Sequence, residues 1–305
     1  MEDAKITDIR YVGLAVPELE KERAFMIDSW GLRETAAQDG LSYLATHGDS
    51  EHHVIRLRQA QVPRLDVLGL ATSTKADVHS LFDRLSRRDV KHIDQAPHPL
   101  TTPGGGYGFR CFDLDGRTLE ISCDVERIPA REIERGESVP VRLSHVVLHT
   151  PDISAAVDFY ADQLGFKISD WLAKFMCFMR CNRAHHRLAF LPGPPALNHI
   201  AFDMRSVDEM MAGIARLARL GTKTVWGPGR HTAGDNTFAY FAAPSGTGIE
   251  YTAELELVDD ATWQPTVYNM APEITDRWGT GRLFVESQQH TPPSPDPGMW
   301  IAPPQ

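Results

Sequence analysis

The sequence predicts an α+β protein built as a tandem duplication, and three observations carry that prediction. Short strand-like runs alternate with helical runs whose apolar residues recur at helical spacing. The same order of elements appears twice, each time over about 130 residues. The two passes can be laid over one another with nearly constant offset. IRYVGLAVPEL lies over LSHVVLHTPDI and sets Tyr11 against His145. LDVLGLATS lies over LNHIAFDMR and sets Val67 against His199, and RTLEISCD lies over TGIEYTAE and sets Glu120 against Glu250. The offsets are 134, 132 and 130, a drift that fits small loop deletions in an internal repeat.

In order, residues 9–16 (IRYVGLAV) read as a buried strand. Pro17 opens a helix with Phe25, Met26 and Trp30 on its apolar face and Gly31 near its end. Residues 41–46, 53–57 and 65–70 read as strands. Residues 75–87 read as a helix, with Val78, Leu81, Phe82 and Leu85 on one side. A Pro/Gly-rich segment, 96–106, leads to strands at 107–113 and 117–122, joined by Leu114-Asp115-Gly116. GGGYG at 104–108 reads as a hairpin approach rather than a phosphate loop, because no helix follows it. Glu51-His52-His53 reads as surface.

In the second pass, 143–149 is a strand and Asp152 N-caps the helix that follows. Strands are expected at 167–171, 175–181, 186–191 and 197–203, then a helix at 207–220. The last two strands flank the Pro244-Ser245-Gly246 turn. The chain therefore divides into a first domain (1–130), a polar linker (131–140), a second domain (141–260) and an extension with a proline-rich tail (261–305). Trp300 in that tail suggests packing against something, such as a neighbouring subunit.

Composition is that of an ordinary globular protein, 42% hydrophobic and 24% charged. A net charge of -10 disfavours nucleic acid and anionic membranes, which reward basic surfaces. Four cysteines without a CxxC pair read as free thiols of a reducing compartment. No run approaches the ~20 apolar residues of a membrane span, and no signal peptide is visible; a cytoplasmic protein is expected.

The chemistry concentrates in the second pass. His145, His199 and Glu250 each sit in an apolar strand run: Ser144-His145-Val146, Asn198-His199-Ile200 and Ile249-Glu250-Tyr251. A buried carboxylate without a partner costs several kcal/mol or neutralises, so Glu250 needs a reason to be there, and a metal ion is one. Two imidazoles and one carboxylate form the donor set favoured by non-haem Fe(II) and acceptable to Mn(II). The first pass offers Tyr11, Val67 and Glu120 instead, so it should be metal-free scaffold.

The segments SHVVLHTPDISAAVDFYADQLGF, CNRAHHRLAF, LNHIAFDM and GPGRHTAGDNTFAYFAAPSGTGIEY resemble the type I extradiol ring-cleaving dioxygenases of the vicinal oxygen chelate (glyoxalase/bleomycin resistance/dioxygenase) superfamily. The resemblance spans roughly residues 6–260. It implies paired βαβββ modules, each a partly open barrel, and an Fe(II) or Mn(II) enzyme that cleaves a catechol with O2 beside its two hydroxyls. Carried over, His145, His199 and Glu250 match the metal ligands, and His231 and Tyr240 match residues that hydrogen-bond substrate oxygens. His186 matches the acid-base histidine. His185 is adjacent, and on a strand only one of the two could face the metal; His186 keeps the family's spacing. Asp235, Asn236, Phe178, Phe190 and Arg277 are candidate substrate contacts. The loop resembles those of enzymes acting on carboxylated or alkylated monocyclic catechols, and Arg180, Arg183, Arg187 or Arg277 could pair with a substrate carboxylate. Arg277-Trp278-Gly279 reads as either a lid or a docked tail. The resemblance also implies a homo-oligomer, dimer or tetramer. The competing readings are another metalloenzyme of the superfamily (a glyoxalase-like lyase, isomerase or hydrolase) and a non-catalytic small-molecule-binding protein.

Overall fold

The computed structural model describes residues 4–38, 40–281 and 291–294. Two open, twisted sheets account for most of it. In the first, the strands run in the order Arg33–Gln38, Leu41–Ala45, Ile55–Gln59, Asp8–Val16, Arg64–Ala71, Thr118–Cys123, Tyr107–Phe112, His98–Pro99. In the second, the order is Trp226–Arg230, Thr237–Ala242, Gly248–Ala253, Ala196–Asp203, Arg142–Thr150, Leu188–Pro192, Met176–Arg180, Lys167–Leu172, Thr266–Tyr268. The strand at Arg33–Gln38 and the short one at His98–Pro99 have no clear counterpart in the sequence reading. The first is polar and half-exposed, so it lacks an apolar run to announce it.

The repeat is exact in register. Tyr11 pairs with Gly69, which pairs with Glu120; His145 pairs with Ala201, which pairs with Glu250. Gly13 faces Val67 as Val147 faces His199. The sequence alignment of the two halves is therefore the structural one.

The helix at Lys75–Ser86 is capped by Thr74, whose hydroxyl accepts from the Asp77 amide. Asp152 does the same for Ile153–Leu164, and Ser206 for Val207–Arg219. The first helix, Leu19–Ala24, runs on into a π-helical turn, Phe25–Trp30, that ends at the left-handed Gly31. That turn delivers Trp30, fully buried, against Phe202, Phe241 and Tyr251 of the second sheet. The halves are thus joined by a common apolar core.

The extension adds two pieces to the second half. Thr266–Tyr268 continues the sheet beside Lys167–Leu172, and Pro272–Thr275 makes a single helical turn. Thr291 exchanges backbone hydrogen bonds with Leu197, while Leu65 donates to the Pro292 carbonyl and accepts from Ser294. This short piece of the tail is buried on its own chain; Trp300 lies outside the described residues. Among the described residues no helix is long and apolar enough to cross a membrane.

Candidate metal centre and its cavity

His145 and His199 come from neighbouring central strands, and Glu250 from the strand on the far side of His199. All three are buried, with one donor atom from each within 4.8 Å of the others. The Nε2 atoms of His145 and His199 lie 3.3 and 3.0 Å from Glu250 Oε2.

Two β-bulges aim the imidazoles. The pairing of the central strands skips Ser144 on one and Asn198 on the other. A bulge swings the extra residue out of strict alternation, so each histidine finds its predecessor beside it. Ser144 Oγ lies 3.3 Å from His145 Nδ1, and Asn198 Oδ1 lies 2.6 Å from His199 Nδ1. With Nδ1 occupied, Nε2 of each ring is left for a cation. Asn198 in turn donates to His149 Nε2 at 2.8 Å, and His149 Nδ1 reaches the Pro192 carbonyl.

The donor set fits a metal. Both oxygens of Glu250 and Nε2 of His199 lack a hydrogen-bond partner among the described residues, although Glu250 is completely buried. Burial works to raise the Glu250 carboxyl, but the two imidazoles offset it and hold the group well below the usual carboxylate range. Burial also lowers His199, against the pull of Glu250. A buried carboxylate facing two imidazoles, with no Lys or Arg paired to it among the described residues, is a donor set suited to a cation. Glu120 makes the control: it accepts from Arg110 Nε at 2.9 Å and Nη2 lies 2.8 Å away.

His145 and His199 of the triad line a cavity of about 230 Å³. His186 lines it, with its ring centroid 4.3 Å from that of His145. Burial and the surrounding imidazoles push His186 well below its ordinary pKa. His231 and Tyr240 line the opposite side. His231 Nδ1 donates to the Thr275 carbonyl at 2.7 Å, so its Nε2 accepts from the Tyr240 hydroxyl at 3.2 Å. Burial lowers His231, and burial followed by the nearby Glu250 pushes the Tyr240 phenol well above its usual value. Apolar walls complete the space, among them Val147, Leu172, Phe178, Met270 and Ile274.

Several sequence expectations change here. His185 and His186 lie before the strand Leu188–Pro192 rather than on it, so strand alternation is not what separates them. Both are buried, their Nδ1 atoms 3.0 Å apart, and only His186 lines the cavity. Glu51, His52 and His53 are buried, not surface. His52 and His53 repeat the His185-His186 pair in the first half, Nδ1 to Nδ1 at 3.1 Å. Their offset of 133 residues was legible in the sequence.

Of the candidate substrate contacts, Phe178 lines the cavity; Asp235, Asn236, Phe190 and Arg277 do not. Asp235 is paired with Arg230 and Arg277 at 2.9 and 2.6 Å. Asn236 is fully buried and donates to Thr252 Oγ1 at 2.8 Å. Phe190 packs in the core beside Tyr160. These loop residues shape the turn that carries His231. Gly234 in that turn adopts φ +81 and passes so close to the histidine pair that a Cβ there would lie 3.1 Å from His185 Nδ1. Arg277-Trp278-Gly279, read as either a lid or a docked tail, does not line the cavity; from the extension Met270, Ile274 and Thr275 do. Sequence reading missed these three, which lie in or beside irregular backbone that gives no periodicity to read, and Trp226, the first residue of the short Gly/Pro-rich edge strand Trp226–Arg230.

Comparison with known proteins agrees with this geometry. Residues 142–251 match the family model of the glyoxalase/bleomycin resistance protein/dioxygenase superfamily. A crystal structure of a Mn(II)-bound glyoxalase from Novosphingobium aromaticivorans superposes with a TM-score of 0.92 at 48% identity, covering 95% of this chain and 96% of that one. The chain belongs to the glyoxalase/bleomycin resistance protein/dioxygenase superfamily. Among curated relatives, metapyrocatechase 2 of Cupriavidus necator is 26% identical over 90% of this chain and 89% of its own length. Biphenyl-2,3-diol 1,2-dioxygenase of Paraburkholderia xenovorans is 28% identical over 83% and 90%.

Proposed function

We propose that this chain is a metal-dependent extradiol dioxygenase, opening a catecholic ring beside its two hydroxyls with O2. The observation that carries the reading is the convergence of His145, His199 and Glu250 with His186, His231 and Tyr240 around one small apolar cavity. The names of the curated relatives support it.

When bound by His145, His199 and Glu250, Fe(II) or Mn(II) supplies Lewis acidity toward the vicinal hydroxyls and open positions where diol and O2 meet. The chain's own residues do the rest. His231 and Tyr240 hold a substrate oxygen through Nε2 and the phenol and fix the ring's orientation. His186, held neutral, takes a proton from a catechol hydroxyl and returns it to oxygen as the ring opens. The apolar walls exclude water.

The wall chemistry narrows the substrate. Among the described residues no Lys or Arg lines the cavity. Arg180 is held by Asp260 and the Ile168 carbonyl, Arg187 by Asp8 and backbone carbonyls, and Arg183 is exposed. A substrate carboxylate would be desolvated without a partner. The preferred substrate is therefore an uncharged single-ring catechol with an apolar substituent, not a carboxylated one.

The test is O2 uptake by anaerobically reconstituted Fe(II) protein over a catechol panel, with a yellow ring-opened product. Alkylated catechols should exceed carboxylated ones in kcat/KM by about 100-fold, the effect of one unpaired buried charge. Absence of turnover with metal bound would sink the assignment. The 48% identity to a chain described as a glyoxalase favours a second reading, an oxygen-independent enzyme of the same family. Product formed without O2 would establish that reading; the His186, His231 and Tyr240 set speaks for the first.

The chain is also taken to act in the cytoplasm, where its four unpaired cysteines stay reduced, and as a dimer or tetramer. Val267, Met270 and Trp278 in the extension, with Leu257 just before it, leave apolar surface exposed, the kind of patch an interface covers. Sedimentation of the intact chain tests the assembly.

A further inference from the structure

Behind His186 stands a buried chain of polar groups that the proposed chemistry does not use. Asp170 Oδ2 lies 2.9 Å from His185 Nε2, and His185 Nδ1 lies 3.0 Å from His186 Nδ1. All three residues are buried, at 1%, 0% and 3% exposure. Asp170 is turned toward the pair at a β-bulge, since the pairing of its strand skips Ser169. The extension then closes over it. The Thr266 amide donates to Asp170 Oδ1 at 2.7 Å, Trp263 Nε1 donates to the Ser169 carbonyl at 2.9 Å, and the Trp263 ring meets His185 edge-on.

The first half supplies an internal control. It keeps the histidine pair, His52 and His53, with the same Nδ1 to Nδ1 contact. In place of Asp170 it has Ala36, which pairs with Tyr43 as Asp170 pairs with Phe178. The carboxylate therefore accompanies the half that carries the metal triad.

We infer that Asp170 and His185 are positioning residues that fix the tautomer of His186, so that His186 carries its proton on Nδ1 and leaves Nε2 bare. This rests on the dioxygenase reading for its catalytic consequence, though not for its geometry. The logic is one of donors and acceptors. A carboxylate accepts, so His185 must donate from Nε2. With one proton on each ring, His185 then has a bare Nδ1 that accepts from His186 Nδ1–H, and His186 has a bare Nε2 able to take a proton.

Asp170→Asn reverses the chain at constant shape. The Thr266 amide still needs an acceptor and takes the Asn oxygen, so the Asn NH2 faces His185 Nε2 and can only donate. The proton of His185 moves to Nδ1, and that of His186 moves to Nε2, where it blocks proton uptake. The experiment is 15N NMR of histidine-labelled, Zn(II)-loaded protein, beside metal content and steady-state kinetics of the Fe(II) enzyme. The wild type should show His185 protonated on Nε2 and His186 on Nδ1. D170N should show both reversed, stoichiometric metal, a KM within about threefold and a kcat lower by about 10²-fold, the scale of general acid-base catalysis.

A wild-type His186 protonated on Nε2, or a doubly protonated His185, overturns the inference, and this holds even if D170N does not fold. Reversed tautomers with unchanged kcat overturn the catalytic role. A wild type inactive on every catechol removes the dioxygenase reading and leaves the tautomer result to be judged on the spectra alone.

Discussion

The two halves of the molecule place a glutamate at the same buried point and neutralise it differently. Glu120 and Glu250 sit at matching positions in matching registers. Across the strand pair from Glu120 stands Arg110; across from Glu250 stands Tyr240. Arg110 is fully buried and bonds the carboxylate directly. Where His145 and His199 stand in the second half, the first has Tyr11 and Val67. Where the second has the small Ala189, the first has Arg56, fully buried and bonded to Asp66. A buried carboxylate requires a cation. One half supplies it from its own chain and fills the space with guanidinium groups; the other sets its carboxylate against two imidazoles beside a cavity, a donor set open to a cation from solution.

The comparison can be broken at its strongest point first. His199→Ala or Glu250→Gln should abolish stoichiometric metal by elemental analysis and with it all turnover; retained metal in both would mean that the triad is not the site. His186→Ala should keep the metal while kcat falls about 10²- to 10⁴-fold, since its ring lines the cavity without belonging to the triad. Glu120→Gln should do the reverse. It leaves Arg110 buried with Asp94, 3.6 Å from Nη1, but without the closer Glu120 carboxylate, and should cost about 3 kcal/mol in urea unfolding, with metal content unchanged. Metal loss in that variant would show that the halves are not independent in this respect.

The smallest effect is in pH dependence. Burial lowers His53 in the first half and His186, His199 and His231 in the second; neighbouring imidazoles add to it at His53 and His186, while Glu250 opposes it at His199 and His231. Their folded pKa values lie below the unfolded value of about 6.5. The unfolded chain therefore binds more protons as pH falls below that value, and the metal-free protein should lose stability there while staying level above it. Urea midpoints from pH 8 to 5.5 measure this. His53→Asn should make the decline shallower without changing metal content, separating the first half's share from the second's.

Much of this was legible along the chain. The repeat, its register and the asymmetry of ligands follow from apolar runs that carry His145, His199 and Glu250, because a buried strand has few reasons to hold such residues. His52 and His53 were legible too, through their offset from His185 and His186, but a pair of histidines beside an acid looks like surface when each residue is weighed alone. Asp170 was not legible: one acid in KISDWL resembles any edge residue. Asp235, Asn236 and Arg277 looked like ligand-binding residues because they are polar and near His231. In the fold they are occupied with each other, with Arg230 and with Thr252.

By itself the sequence determined the duplicated α+β framework and which half can hold a metal, since strand periodicity and residue chemistry are local properties that survive without coordinates. Only the tertiary structure decided which polar groups face the cavity and which neutralise one another. Bulges at Ser144, Ser169 and Asn198 change where side chains point without leaving a mark on composition. The partners that separate the two glutamates come from other strands, and those of Asp170 from a segment after residue 180 and from the extension. That pairing separates Glu120, a part of the scaffold, from Glu250, which has similarly apolar neighbours along the chain but no guanidinium across from it and is placed to face a metal.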